Sequence, residues 1–204
     1  MSKKRGSPLF LLVRDLAARR AANSGGSIGK TWERGRGGVP KLVNLQVKEL
    51  PRMYVVGRAI RVKMDMEENP IPALWDRCLA EGTFETLEAL EDYHLDKDYV
   101  GWLGDWSEDS FVYICGMLMK PEVPVPEGFD WRELAPAKAA VGWIKGRVPE
   151  VLFHAHDLTL EALLEAGYEP DHGAGWSMEL YNCPRYTNPD ENGELILDYY
   201  IAVK

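Results

Sequence analysis

The sequence predicts an α+β fold, a tandem pair of strand–helix–strand–strand units whose strands form an antiparallel sheet around a central ligand cleft. Three observations predict it. The same order of elements occurs on either side of a proline-rich stretch at residues 121–126. Each half holds one segment that reads as helical, the first by its apolar spacing. The strand segments are apolar at both parities, so both sheet faces need a cover, and one helix per half shields only one of them. The other face must meet the other half, a partner chain or a ligand.

Residues 1–41 stand apart from the rest. They carry ten Lys/Arg and two acids, a net +8, whereas the remainder carries −16. Residues 7–22 suit a short basic helix, with Ser7 as cap, Pro8 in the first turn and Leu9, Leu12, Val13 and Leu16 on one side. Residues 23–38 hold six glycines and read as flexible. This extension reads as a basic partner-binding tail, as a transit peptide, or as sequence upstream of the true start, and the three readings stay open. Residues 42–204 form the folded domain, with halves at about 42–120 and 132–204.

In residues 42–50, Val43, Leu45 and Val47 alternate with Asn44, Gln46 and Lys48, which is the period of a strand. Residues 53–64 form a second extended stretch after Pro51. Residues 70–82 form a helix with Pro70 or Pro72 in its first turn. There Ile71, Leu74, Trp75, Cys78 and Leu79 repeat at i, i+3, i+4, i+7 and i+8, and Gly82 stops it. Residues 84–98 are acidic and read as a short helix over a long loop. Residues 99–106 and 111–120 are strands joined by a hairpin turn at 106–109. Pro121, Pro124 and Pro126 stiffen the connector. The second half gives a strand at 138–148, a helix at 149–166 ended by Gly167, and strands at 176–182 and 195–203. A loop rich in Asn, Pro and Asp at 186–193 joins the last two.

Composition bounds the function. The chain is 46% hydrophobic, enough for a real core, yet no apolar run approaches the roughly 18 residues of a membrane span. Cys78, Cys115 and Cys183 are far apart and in no metal spacing, which reads as reduced thiols in a cytoplasmic protein. His154 and His156 lack further ligands to complete a set and read as surface or turn residues, so neither metal nor cofactor is expected. The acidic body repels phosphate backbones and shows no helix-turn-helix pattern, so direct nucleic-acid binding by it is not expected.

One strand breaks the apolar pattern: Trp176-Ser177-Met178-Glu179-Leu180-Tyr181. Side chains alternate along a strand, so Ser177, Glu179 and Tyr181 share a face. If that face is covered, Glu179 confronts a walled space, where an unpaired carboxylate is costly or takes a raised pKa. Such a group suits a ligand's counter-charge or an acid–base role. Tyr113, Trp102, Trp143, Tyr181 and Tyr199 are strand aromatics able to wall the space. The structural alternative is an ion pair of Glu179 with Arg61 or Lys145. Trp75, on the inner stripe of its helix, and Trp176, beside Met178 and Leu180, read as core.

Residues 42–204 resemble the GyrI-like small-molecule-binding domain, the effector-binding domain of AraC-type activators. Leu45-Gln-Val-Lys-Glu-Leu-Pro51 with Val56-Gly57 resembles the family's opening strand and turn, and Ile71-Pro-Ala-Leu-Trp75 its first helix. Phe111-Val-Tyr113-Ile-Cys-Gly116 resembles the Phe-x-Tyr-x-x-Gly strand, and Pro126-Glu-Gly128 the Pro-x-Gly connector. Residues 141–146, Ala166-Gly-Tyr168, Glu179-Leu-Tyr181 and Ile201-Ala-Val203 resemble the second-half strand, helix end, Glu-x-Tyr strand and closing strand. Ala139-Ala140 stands where the family often has Tyr-Ala, and Leu163-Leu164-Glu165 where it often has Trp-Leu-Pro.

The resemblance implies a cleft-facing Glu179 and a free-standing small-molecule-binding protein for a hydrophobic, often cationic, drug-like ligand. Sensing, sequestration or regulation of transcription would be its use. Glu179 and Tyr181 would also serve a second reading, a hydrolase of electrophilic cyclopropane-type natural products with Glu179 as general base. A third reading is a protein-interaction role similar to gyrase-inhibitor relatives, with a protein partner or a homodimer.

Overall fold

Along the chain the elements run β1 (Lys41–Leu50), β2 (Met53–Lys63), α1 (Ile71–Ala80), α2 (Thr83–Glu88), a 3₁₀ turn (Glu91–Tyr93), β3 (His94–Gly104) and β4 (Ser110–Met119). Then follow β5 (Asp130–Leu134), β6 (Ala137–Gly146), α3 (Glu150–Glu165), β7 (Ser177–Tyr181) and β8 (Leu195–Val203). This computed structural model describes residues 39–181 and 184–204, so the basic helix read at 7–22 lies outside the described residues. Among the described residues no helix is long and apolar enough to cross a membrane.

All eight strands form one antiparallel sheet in the order β1-β6-β8-β7-β3-β4-β2-β5. The predicted repeat is visible in that order. The first unit pairs β2 with β4 and β4 with β3; the second pairs β6 with β8 and β8 with β7. The units meet where β3 pairs with β7. The leading strands are exchanged: β1 precedes the first unit but pairs with β6 of the second, and β5 precedes the second but pairs with β2 of the first. The sheet is therefore continuous across the halves rather than two sheets in contact.

Local chemistry explains the ends of the helices. Pro70 and Pro72 occupy the start of α1, where a missing N–H costs nothing, and Asn69 Oδ1 accepts from Ile71 N at 3.0 Å. Leu74, Trp75 and Cys78 form its buried stripe. Helix α3 ends with Gly167 at φ +83° and a Tyr168 N to Leu163 O bond of 2.9 Å, which satisfies its last carbonyls. Two elements differ from the sequence reading. Strand β3 begins at His94, with an irregularity between His94 and Tyr99 that hides its period. Strand β5 is five mostly polar residues, Asp-Trp-Arg-Glu-Leu, the short and charged form typical of a sheet edge.

The three helices cover one face. Helices α1 and α2 pack on β2 and β4, and α3 packs on β6, β8 and β1. Under them lies one core that includes Trp75, Phe84, Tyr113, Met117, Leu163, Tyr181, Leu197 and Tyr199. The opposite face buries a second core of Trp102, Ile114, Val141, Trp176, Met178, Leu180 and Tyr200, flanked by Leu134 of β5 and Ala174.

Candidate functional site

Glu179 sits mid-strand in β7, next to the junction of the halves, on the helix-covered side. Its cross-strand neighbours are Gly101 of β3 and Tyr199 of β8. Gly101 is what lets the neighbouring side chains meet across β3. A Cβ there would lie 2.8 Å from Glu179 Oε2 and 2.7 Å from Tyr113 Cζ, and would overlap the Tyr113 hydroxyl. With no side chain at 101, Tyr113 reaches across β3 from β4 and donates to Glu179 Oε2 at 2.9 Å. Tyr181, two residues along β7, donates to the same oxygen at 2.9 Å. Trp75 Nε1 of α1 donates to the Tyr113 hydroxyl at 3.0 Å and fixes its direction.

Rings enclose this group. Trp75 meets Tyr181 edge-on at 4.6 Å between centroids, and Tyr186 meets Tyr181 edge-on at 4.8 Å. Phe84 stacks near Trp75 at 5.7 Å and on Tyr99 at 3.7 Å. Burial among them raises the Glu179 pKa, and the Tyr113 and Tyr181 hydroxyls oppose the rise. Burial and the glutamate's charge in turn push the tyrosines 113, 181, 186 and 199 upward, so they remain protonated donors at neutral pH.

Glu179 is not sealed, because part of its surface stays open. Among the described residues its hydrogen bonds both fall on Oε2, and Oε1 has no hydrogen-bond partner there. The ion-pair alternative is not what the structure holds. Arg61 donates to Ser110 Oγ at 3.2 Å, and Lys145 pairs with Asp190 at 2.6 Å and Glu194 at 3.4 Å. Among the described residues no Lys, Arg or His forms an ion pair with Glu179.

Of the aromatics expected to wall the space, Tyr113, Tyr181 and Tyr199 belong to the Glu179 side of the sheet. Trp102 and Trp143 do not; both belong to the opposite face. The reason is parity. Gly101 faces Glu179, so Trp102, one residue on, must face away, and Trp143 shares the parity of Ala139 and Val141 on the far side. Trp143 carries the Arg185 guanidinium over its ring at 4.1 Å, and Arg185 pairs at 2.8 Å with Asp198, which is fully buried. Two residues of the site escape sequence reasoning. Trp75 shows only the helical spacing of a core residue, and Tyr186 lies in a loop defined by its polar neighbours.

A cavity of about 970 Å³ opens on the far face, lined by Trp102, Trp106, Trp176, Leu134 and Pro136 among others, and Glu179 is not in its wall. Arg132 and Asp105 on its rim neutralise each other at 2.6 Å. Glu179, part-buried and without an ion-pair partner among the described residues, lies on the helix side. Among the described residues no group of three or more His, Cys, Asp or Glu is placed to hold a metal.

Solved structures share this architecture. The chain is similar to SAV2435 bound to tetraphenylphosphonium, with 17% identity and a TM-score of 0.61 over 79% of this chain and 94% of that one. A protein from Staphylococcus aureus MU50 matches at 17% identity and TM-score 0.58, over 79% and 98% of the two chains. The C-terminal domain of EcmrR matches at 14% identity and TM-score 0.52, over 79% and 97%. No family model and no curated protein matches the sequence. At these identities the likeness is one of fold.

Proposed function

We propose that this chain, which has the GyrI-like effector-binding fold, binds hydrophobic organic cations with Glu179 as counter-charge. One observation carries the reading. A part-buried carboxylate has one oxygen held by two tyrosines and, among the described residues, no partner on the other oxygen and no basic side chain paired with it. Burying such a charge is costly, and a cation entering beside Oε1 offsets that cost. Tyr113 and Tyr181 hold the carboxylate in place, while Trp75, Tyr181 and Tyr186 offer ring edges and faces. A desolvated cation over such a ring gains about 2 kcal/mol. The binding of tetraphenylphosphonium by SAV2435, a protein of the same fold, fits this ligand class. A module of this kind serves sensing or sequestration.

Titration with tetraphenylphosphonium, followed by calorimetry and by tryptophan fluorescence, tests the proposal. Trp75 lies in the wall, so saturable quenching is expected with the cation and none with neutral triphenylphosphine oxide. Equal responses to both compounds, or no response to either, would refute a cation site. The same raised carboxylate supports a second reading, hydrolysis of an electrophilic natural product with Glu179 activating water at Oε1. Consumption of such a compound by wild type but not by Glu179→Gln would select it.

A further inference from the structure

We infer that the ligand of the Glu179 site has a second, polar anchoring point on the α3 side, formed by Ser177, Tyr199 and His156. This rests on Glu179 being the ligand's counter-charge. Ser177 lies two residues before Glu179 on the same face of β7, and Tyr199 is the direct cross-strand partner of Glu179. The Tyr199 hydroxyl lies 3.0 Å from Ser177 Oγ and 3.3 Å from His156 Nδ1. Ser177 and Tyr199 are buried, whereas His156 is exposed on α3. The three groups form a hydrogen-bonded chain from the surface of α3 to the buried helix-side face of β7, two residues from Glu179.

Counting protons shows what the inner end can do. Each hydroxyl has one donor. When His156 Nδ1 accepts, Tyr199 donates to it, Ser177 donates to Tyr199, and Ser177 is left with open lone pairs. When Nδ1 carries a proton, every bond reverses and the Ser177 hydroxyl has a donor to spare. Ser177 can therefore meet an acceptor or a donor on a ligand, with the surface histidine setting the polarity. The other flank of Glu179 is aromatic, with Trp75, Phe84 and Tyr99. This asymmetry selects a ligand with an aromatic body toward α1 and α2. It also selects a hydroxyl, carbonyl or amide on the α3 side, about 7 Å from the cationic centre, which is two residues along a strand.

Matched probes test this on the full chain: hexyltriphenylphosphonium and (5-hydroxypentyl)triphenylphosphonium, equal in size and charge. The ratio of their dissociation constants is measured for wild type, Ser177→Ala and Tyr199→Phe. Each substitution is expected to shift the ratio roughly 2- to 10-fold against the hydroxylated probe, as for one neutral hydrogen bond. An unchanged ratio in both variants, with both probes still binding, would overturn the polar anchor and leave the cation site intact. Failure of wild type to bind either probe would overturn both.

Discussion

Glu179→Gln is expected to make the protein more stable and to remove its affinity for lipophilic cations. The two effects have one cause. In the folded chain burial holds the Glu179 pKa above its ordinary 4.5. Between the unfolded and folded values the native state binds more protons, so stability is fully present below the unfolded pKa and is lost as pH rises through the folded one. At neutral pH the charged carboxylate is a net cost. In the glutamine variant the amide oxygen can take the place of Oε2 and accept from Tyr113 and Tyr181, while the amide NH₂ occupies the open side. No buried donor is orphaned and no charge is buried. The midpoint of urea unfolding should therefore rise at pH 7, and the gap to wild type should close as pH falls below 4.5. Cation binding should move the other way. Removing one member of a buried charge pair costs about 2–5 kcal/mol, or roughly 30- to 4,000-fold in dissociation constant. Wild-type affinity should also weaken as pH falls through the raised pKa. A variant that is less stable and still binds tetraphenylphosphonium would show that Glu179 is a structural acid.

Much of this site can be read from the chain because its signals are local. The lone carboxylate in Trp176-Ser-Met-Glu-Leu-Tyr181 stands out against apolar neighbours, and period 2 places Glu179 with Ser177 and Tyr181 without any structure. The i, i+3, i+4 spacing of α1 likewise gives its buried stripe. Relations between strands are not local. Alternation sorts the residues of one strand into two faces, but which face matches which face of the next strand depends on register, and a slip of one residue inverts it. That is why Trp102 and Trp143 could not be separated from Tyr113 and Tyr199 beforehand. The exchange of β1 and β5 between halves is hidden for the same reason, since it is a pairing of segments remote in sequence. Trp75 was invisible for another reason. A ring that packs inward and a ring that walls a site obey the same helical spacing, and only its Nε1 bond to Tyr113 distinguishes them.

Two glycine-to-alanine substitutions should have opposite outcomes, because the methyl meets different things. Gly116 of β4 pairs with Gly57 of β2, and the two backbones approach more closely there than side chains permit. A Cβ at 116 would lie 2.7 Å from Gly57 Cα and Val56 C and would overlap the Val56 carbonyl oxygen. These are backbone atoms in the middle of a ladder and cannot swing aside. Overpacking typically costs 1–3 kcal/mol when side chains can adjust, so Gly116→Ala is expected to cost about 3 kcal/mol or more. The denaturation midpoint should fall sharply, while the folded fraction keeps its affinity for tetraphenylphosphonium. At Gly101 the methyl would meet the end of the Tyr113 side chain and Glu179 Oε2. A ring tip can move, so the fold should survive Gly101→Ala at a cost of about 1 kcal/mol. Tyr113 would then leave the carboxylate, taking with it one of the two hydrogen bonds that hold the Glu179 pKa down. Binding should weaken, and its loss on acidification should begin at a higher pH than in wild type. If Gly116→Ala proves neutral to stability, the close crossing of β2 and β4 is wrong. If Gly101→Ala leaves the pH dependence of binding unchanged, Tyr113 does not hold Glu179 in the way the geometry requires.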